Sequence, residues 1–243
     1  MLDASDARGL ARSARAVSLA TLISRILGLA REQTVAALFS RTQTDAFAFA
    51  FRIPNLLRDL FAEGAMSSAF VPTFTRELHD KPRREAWAFA GTVMTLLAIL
   101  LSGVSVLGML LSRVLVGSFA EGFQHHGVPG KFELTVGLTR WMFPFLPMVA
   151  LAAAAMGCLN ASRRFFLPAL APAVFNVASI ACAWALSPVL AAHPEWGFDP
   201  VFSLAVGTLV GGLGQFLIQV PLLKREGLEL RPRFDLLHTG VAR

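Results

Sequence analysis

Residues 87–112 read WAFAGTVMTLLAILLSGVSVLGMLLS, with no charged side chain among them. As a helix rising 1.5 Å per residue, this stretch covers about 39 Å, more than the roughly 30 Å of hydrocarbon in a bilayer. It lacks the two-residue alternation of a half-buried strand. An isolated strand in lipid would also leave its backbone donors and acceptors unpaired. Residues 141–162, 165–192 and 201–223 are likewise free of charge and long enough to cross. Composition agrees: of 243 residues, 55% are hydrophobic and only 16% charged, with a mean hydropathy of +0.59. A water-facing domain would need about 25% charged residues to cover its surface. The fold class is all-α, a polytopic membrane protein.

Two further spans precede these, apolar in bulk but interrupted by charge. Together they predict six transmembrane helices in one membrane domain, residues 1–243, at about 16–39, 46–74, 86–112, 133–161, 165–191 and 201–224. The net charge of +6 and pI near 10.6 do not require a nucleic acid, because the basic residues alternate by loop. Arg8, Arg12 and Arg15, then Arg76, Lys81, Arg83 and Arg84, then Arg163 and Arg164, then Lys224, Arg225, Arg231 and Arg233 fall on one side. The other side holds Arg41, Arg113 and Lys131. This positive-inside bias puts both chain ends in the cytoplasm and offers anionic membrane lipids a contact surface.

Other features carry less chemistry. Cys158 and Cys182 lie inside spans without a Cys-x-x-Cys spacing, as packing residues rather than a disulfide or metal framework. No cleavable signal peptide is evident, since Arg25 interrupts the first apolar run. Trp87, Trp141 and Trp196 lie near span ends, where indoles favour headgroups, and Trp184 is expected to pack inside the fifth helix. Arg140 reads as a headgroup anchor and His125-His126 as a solvated pair. The connection 113–132 is expected to include a short interfacial helix. Pro144, Pro147, Pro168 and Pro172 predict kinks in the fourth and fifth helices. There is no Ser–His–Asp set, metal-ligand cluster or phosphate loop, so neither an enzyme nor a cofactor is expected.

The charges within the first two helices carry the functional signal. The first holds Arg25, Arg31 and Glu32; the second holds Asp45, Arg52, Arg58, Asp59 and Glu63. Each Arg or Asp facing lipid at a helix centre costs about 2.5–3.5 kcal/mol. These helices must therefore face one another, other helices or a watery cavity. Arg25 and Glu32, seven apart, share a stripe, while Ser24, Gly28 and Arg31 share the neighbouring one, with small residues permitting close approach. Pro54 removes a backbone donor and frees the Ala50 carbonyl, predicting a kink or break of the sort that exposes backbone groups to substrate in transporters. Guanidinium forks suit phosphate or diphosphate. For Asp59 and Glu63, structural pairing or a place near the membrane boundary is the leading reading.

Three stretches go beyond generic hydrophobicity. They are Ser24-Arg25-Ile26-Leu27-Gly28-Leu29-Ala30-Arg31-Glu32; Thr44-Asp45-Ala46-Phe47 through Arg52-Ile53-Pro54-Asn55-Leu56-Leu57-Arg58 to Glu63-Gly64-Ala65 and Val71-Pro72; and Phe143-Pro144-Phe145 with Leu159-Asn160-Ala161, Pro168-Ala169-Leu170-Ala171-Pro172 and Asn176-Val177. In this polar order the chain resembles the MurJ (MviN) lipid II flippase family, of the multidrug/oligosaccharidyl-lipid/polysaccharide exporter superfamily, over essentially its whole length.

The resemblance implies one lobe of a two-lobed, alternating-access transporter that moves lipid II across the bacterial inner membrane. It implies substrate contacts from Arg25, Arg31 and Arg58, with Ser24, Glu32 and Arg52 in the same motifs, and transport or gating roles for Asp45, Glu63, Gly28 and Pro54. Glu32 stands where the family more often has Asp, and Arg52 where it often has Lys; both keep the charge. The implied partners are lipid II, membrane lipids, a second lobe not present in this sequence and cell-wall synthesis proteins. The expectation is therefore an N-terminal lobe that cannot flip lipid alone. Alternatives are export of another polyprenyl-linked saccharide or a drug, and a non-transporting scaffold for cell-wall synthesis.

Overall fold

A computed structural model describes residues 4–60, 68–119 and 128–229, with side chains from Arg15 onward. All regular structure among these residues is helical. Helix α1 (Ala4–Leu38) starts before the expected residue 16, so the basic lead forms its first turns. Ser40 then caps α2 (Arg41–Arg58): its Oγ accepts from the Gln43 amide at 3.4 Å, while Gln43 Oε1 accepts from the Ser40 amide at 2.9 Å. Reciprocal pairing of this kind satisfies two otherwise orphaned donors, so a stretch that reads as a turn becomes the first turn of a helix.

The second expected span, 46–74, changes helix type along its described residues. α2 runs through the buried Pro54 to Arg58 without breaking there. A proline removes one intrahelical hydrogen bond, and here the neighbouring turns hold. Regular α-helix gives way later to π-helical turns at residues 59–60 and 68–70, and α3 (Val71–Asp80) follows. Glu63 lies outside the described residues, as does His125-His126. α4 (Arg83–Phe119) extends well past the expected end at 112 and takes in Arg113; residues 120–127, the middle of the connection expected to hold an interfacial helix, are not described. α5 (Lys131–Met142) and α6 (Phe145–Ala161) meet at 41° around Phe143-Pro144, as the prolines predict. α7 (Phe166–Ala192) holds Pro172 and Pro188. A 3₁₀ turn (Pro194–Trp196) leads to α8 (Phe202–Leu217) and α9 (Val220–Glu226).

α4, α7 and the stretch Phe202–Glu226 are long and apolar enough to cross a membrane, and the bent α5–α6 pair adds a fourth if taken as one span. α1 and α2, with their charges, fall outside that group. Among the described residues α7 and α8 share the most extensive helix contact, where glycines stand in for bulky side chains. A Cβ at Gly211 would lie 2.7 Å from the Phe175 ring and 3.0 Å from the Phe175 carbonyl oxygen; one at Gly207 would lie 2.9 Å from Ser179 Cα. Lipid tails are as apolar as leucine, so this close backbone approach, rather than water exclusion, is what holds such helices together. α1 lies along α7 and α2 along α5, while α1 and α2 touch each other little.

Two apolar clusters are the largest among the described residues. One gathers Phe70, Phe74, Trp87, Phe89, Cys158 and Leu223; the other gathers Phe39, Ala46, Leu138, Met142 and Leu204. Trp87 is thus a core residue, edge-on to Phe74 at 5.2 Å, not a headgroup anchor. Trp184 is 58% exposed on α7 rather than packed inside. Beside the first cluster, the buried Glu226 accepts from Arg83 and, at 2.8 Å, from Arg164 Nε. One carboxylate thereby ties α9 to the start of α4 and to the α6–α7 turn.

Candidate anion-binding hollows along the first two helices

The stripe of Ser24, Gly28 and Arg31 faces α7. The buried Asn176 amide donates to the Ser24 carbonyl at 3.0 Å, and a Cβ at Gly28 would sit 3.5 Å from the same nitrogen. One turn on, the Arg31 guanidinium lies 5.6 Å above the Phe175 ring, a cation–π arrangement. Its Nε is buried with no hydrogen-bond partner. Arg31 and Glu32 line a hollow of about 560 Å³ between α1 and α2, together with Arg41, Thr44, Phe47 and Ser179. It exists because α1 and α2 are each anchored on a different helix. Arg25, one stripe away, is exposed and lines no described hollow.

α2 presents its charges to two other places. Asp45 accepts from Lys131 Nζ at 3.2 Å, with the lysine side chain 11% exposed and the aspartate 52%. Arg52 is exposed at the rim where the Asp45–Lys131 hollow meets an apolar cleft between α2 and α4. Arg58 donates from Nη2 at 2.6 Å and from Nε at 3.0 Å to one oxygen of Asp59, and lines a third hollow with Asn160, Gln215 and Gln219. The sequence-predicted arginines are therefore not gathered on one cavity within these residues; Arg31, Arg52 and Arg58 border separate hollows. Lys131 as the partner of Asp45, and Asn176, Gln215 and Gln219 as polar groups inside apolar helices, carried no assigned role in the sequence reading. For the three amides, occurrence within spans was the signal, because amides in lipid need partners. Among the described residues no group of His, Cys, Asp and Glu is arranged to hold a metal.

The profile of the family described as lipid II flippase MurJ matches residues 34–243. The chain belongs to the MurJ family. It is 41% identical over 237 residues to the lipid II flippase MurJ of Burkholderia cenocepacia, covering 96% of this chain and 44% of that protein. It is 39% identical over 254 residues to the probable lipid II flippase MurJ of Vibrio cholerae, covering 100% of this chain and 46% of that protein. A solved lipid II flippase MurJ in an inward closed conformation superposes with a TM-score of 0.66 at 24% identity, over 93% of this chain and 45% of the other. The chain thus spans about half the length of the relatives it matches, and its fold is that of one helical lobe of a MurJ-type membrane transporter.

Proposed function

We propose that this chain is the first lobe of a lipid II flippase, forming one wall of a cavity that carries an undecaprenyl-diphosphate-linked precursor from the cytoplasmic to the periplasmic leaflet of the inner membrane. On this reading both described ends face the cytoplasm, six helices cross the membrane, and the remaining length seen in the relatives supplies the facing wall for alternating access. The observation that carries it is Arg31: a guanidinium held over Phe175, with a buried, unpartnered Nε, at a hollow between two helices that barely touch. The donor is buried at the hollow and has no acceptor among the described residues. A buried donor without a partner costs about 1–3 kcal/mol, and an anionic oxygen would remove that cost. Ser24 and Gly28 set the approach of α1 to α7, and so the depth of Arg31. Asp45 with Lys131 forms a latch at the other end of α2, suited to gating.

The scaffold alternative has one observation in its favour, the Arg58–Asp59 pair. Its weight is limited because adjacent residues pair at little cost on a partly exposed surface. Binding of a short-chain polyprenyl diphosphate to the chain in nanodiscs tests the proposal. Arg31→Ala should weaken it at least tenfold and Arg31→Lys nearly as much, since the lysine lacks the fork; equal binding by all three would sink it.

A further inference from the structure

At the end of α6, beside the first turns of α7 and the last of α8, three carboxamides meet on one hollow of about 380 Å³, within the common range of small-molecule sites. Gln219 is 1% exposed. Its Nε2 donates to the Ala152 carbonyl at 3.1 Å and to the Gln215 carbonyl at 2.8 Å. Those acceptors fix which way the amide points, because the flipped group would set its oxygen against two carbonyls. Oε1 is then left buried without a donor. The side chains of Asn160 and Gln215 also have no hydrogen-bond partner among the described residues. Arg58 stands at the same hollow, and Met156 and Pro172 supply apolar wall.

The unfilled acceptor decides the ligand chemistry. A diphosphate esterified at both ends offers acceptors only at neutral pH; it would suit Arg58 but do nothing for Gln219 Oε1, which requires a hydroxyl or an N–H. Asn160 and Gln215 each bring both a donor and an acceptor. Amides of both kinds on an otherwise apolar wall match a pyranose ring, with hydroxyls on its rim and C–H groups on its faces. We infer that this hollow is a subsite for the acetamido sugar of a lipid-linked sugar diphosphate, with Gln219 Oε1 accepting from a sugar O–H or acetamido N–H and the diphosphate lying toward Arg58. The inference rests on the lipid-linked saccharide reading above and deepens it: the lobe recognises the sugar as well as the charge.

Two synthetic lipids with the same short isoprenyl diphosphate, one ending in N-acetylglucosamine and one bare, test it by equilibrium binding to the full chain in nanodiscs. The wild type should prefer the sugar-bearing lipid about tenfold. Gln219→Leu should bring the ratio of the two affinities close to one. Asn160→Ala, at a half-exposed helix end that tolerates truncation, should do the same and guards against misfolding of the more buried variant. A preference that survives both substitutions overturns the subsite. So does a wild type that binds both lipids alike and loses both on Arg31→Ala; Gln219 Oε1 then holds only water, and the diphosphate reading stands. A wild type that binds neither lipid removes both readings.

Discussion

Arg31 and Arg58 have the same side chain and different surroundings. Arg58 sits beside Asp59 and spends two donors on one carboxylate oxygen, while Arg31 is packed on an aromatic face with a buried donor left over. The sequence treats them alike, because spacing along a helix reports the face a residue takes but not what the facing helix brings. Ser24, Gly28 and Arg31 do share the predicted stripe, and the stripe does face a neighbour; that the neighbour offers Asn176 and Phe175 could not be read from α1. Asp45 shows the same limit, since its partner Lys131 lies 86 residues away. The pair is half open to solvent, so a double-mutant cycle with Asp45→Ala and Lys131→Ala should give a coupling of about 0.5–1 kcal/mol in thermal unfolding. If Asp45 acts as a latch, the charge swap Asp45→Lys with Lys131→Asp should restore complementation by the corresponding longer protein, whereas either change alone should impair it. Failure of the swap to rescue would assign Asp45 another partner.

Among the elements, the uncharged spans were legible and the charged ones only in part. α4 and α7 follow from length and hydropathy, and the α5–α6 bend from Pro144. Of the kink or break expected at Pro54, the break does not occur: α2 continues through it, and π-helical turns come after Arg58. A proline weakens one hydrogen bond locally, and the turns on either side of it can hold the helix together. Close helix contacts were likewise hidden until the backbones could be seen together. At Gly108 a Cβ would lie 2.1 Å from the Phe143 ring, on the side of α4 that meets the bend. Gly108→Ala should cost about 1–3 kcal/mol through overpacking, read as a lower melting temperature in detergent; an unchanged one would show that Phe143 can swing away. Gly211→Leu, which meets backbone as well as ring atoms, should prevent recovery of monodisperse protein.

Across the whole molecule, two apolar clusters hold the helices together while α1 and α2 touch each other little. The cluster built on Trp87 is fastened by Glu226, whose carboxylate is 8% exposed while its arginine partners are more than half exposed. Glu226→Ala leaves both guanidiniums free to reach water, so the expected loss is on the order of 2 kcal/mol, below that of a fully buried pair. Chemical denaturation of the detergent-solubilised chain should show it; a neutral result would mean the apolar cluster alone holds those helices. The uncharged spans and the lobe architecture were legible because bilayer thickness imposes them. How the polar residues are shared among three hollows was not, because that depends on which helices stand side by side.

The most direct test of the central claim, that Arg31 borders an aqueous, anion-accepting hollow, is thiol accessibility. With Cys158 and Cys182 replaced by alanine and Arg31 by cysteine, a membrane-impermeant maleimide should label the protein in nanodiscs. A polyprenyl diphosphate should slow that labelling in a control carrying the cysteine at Thr44, on the opposite wall, with Arg31 intact. No labelling at position 31, together with labelling at Thr44 that the diphosphate leaves unchanged, would contradict the account.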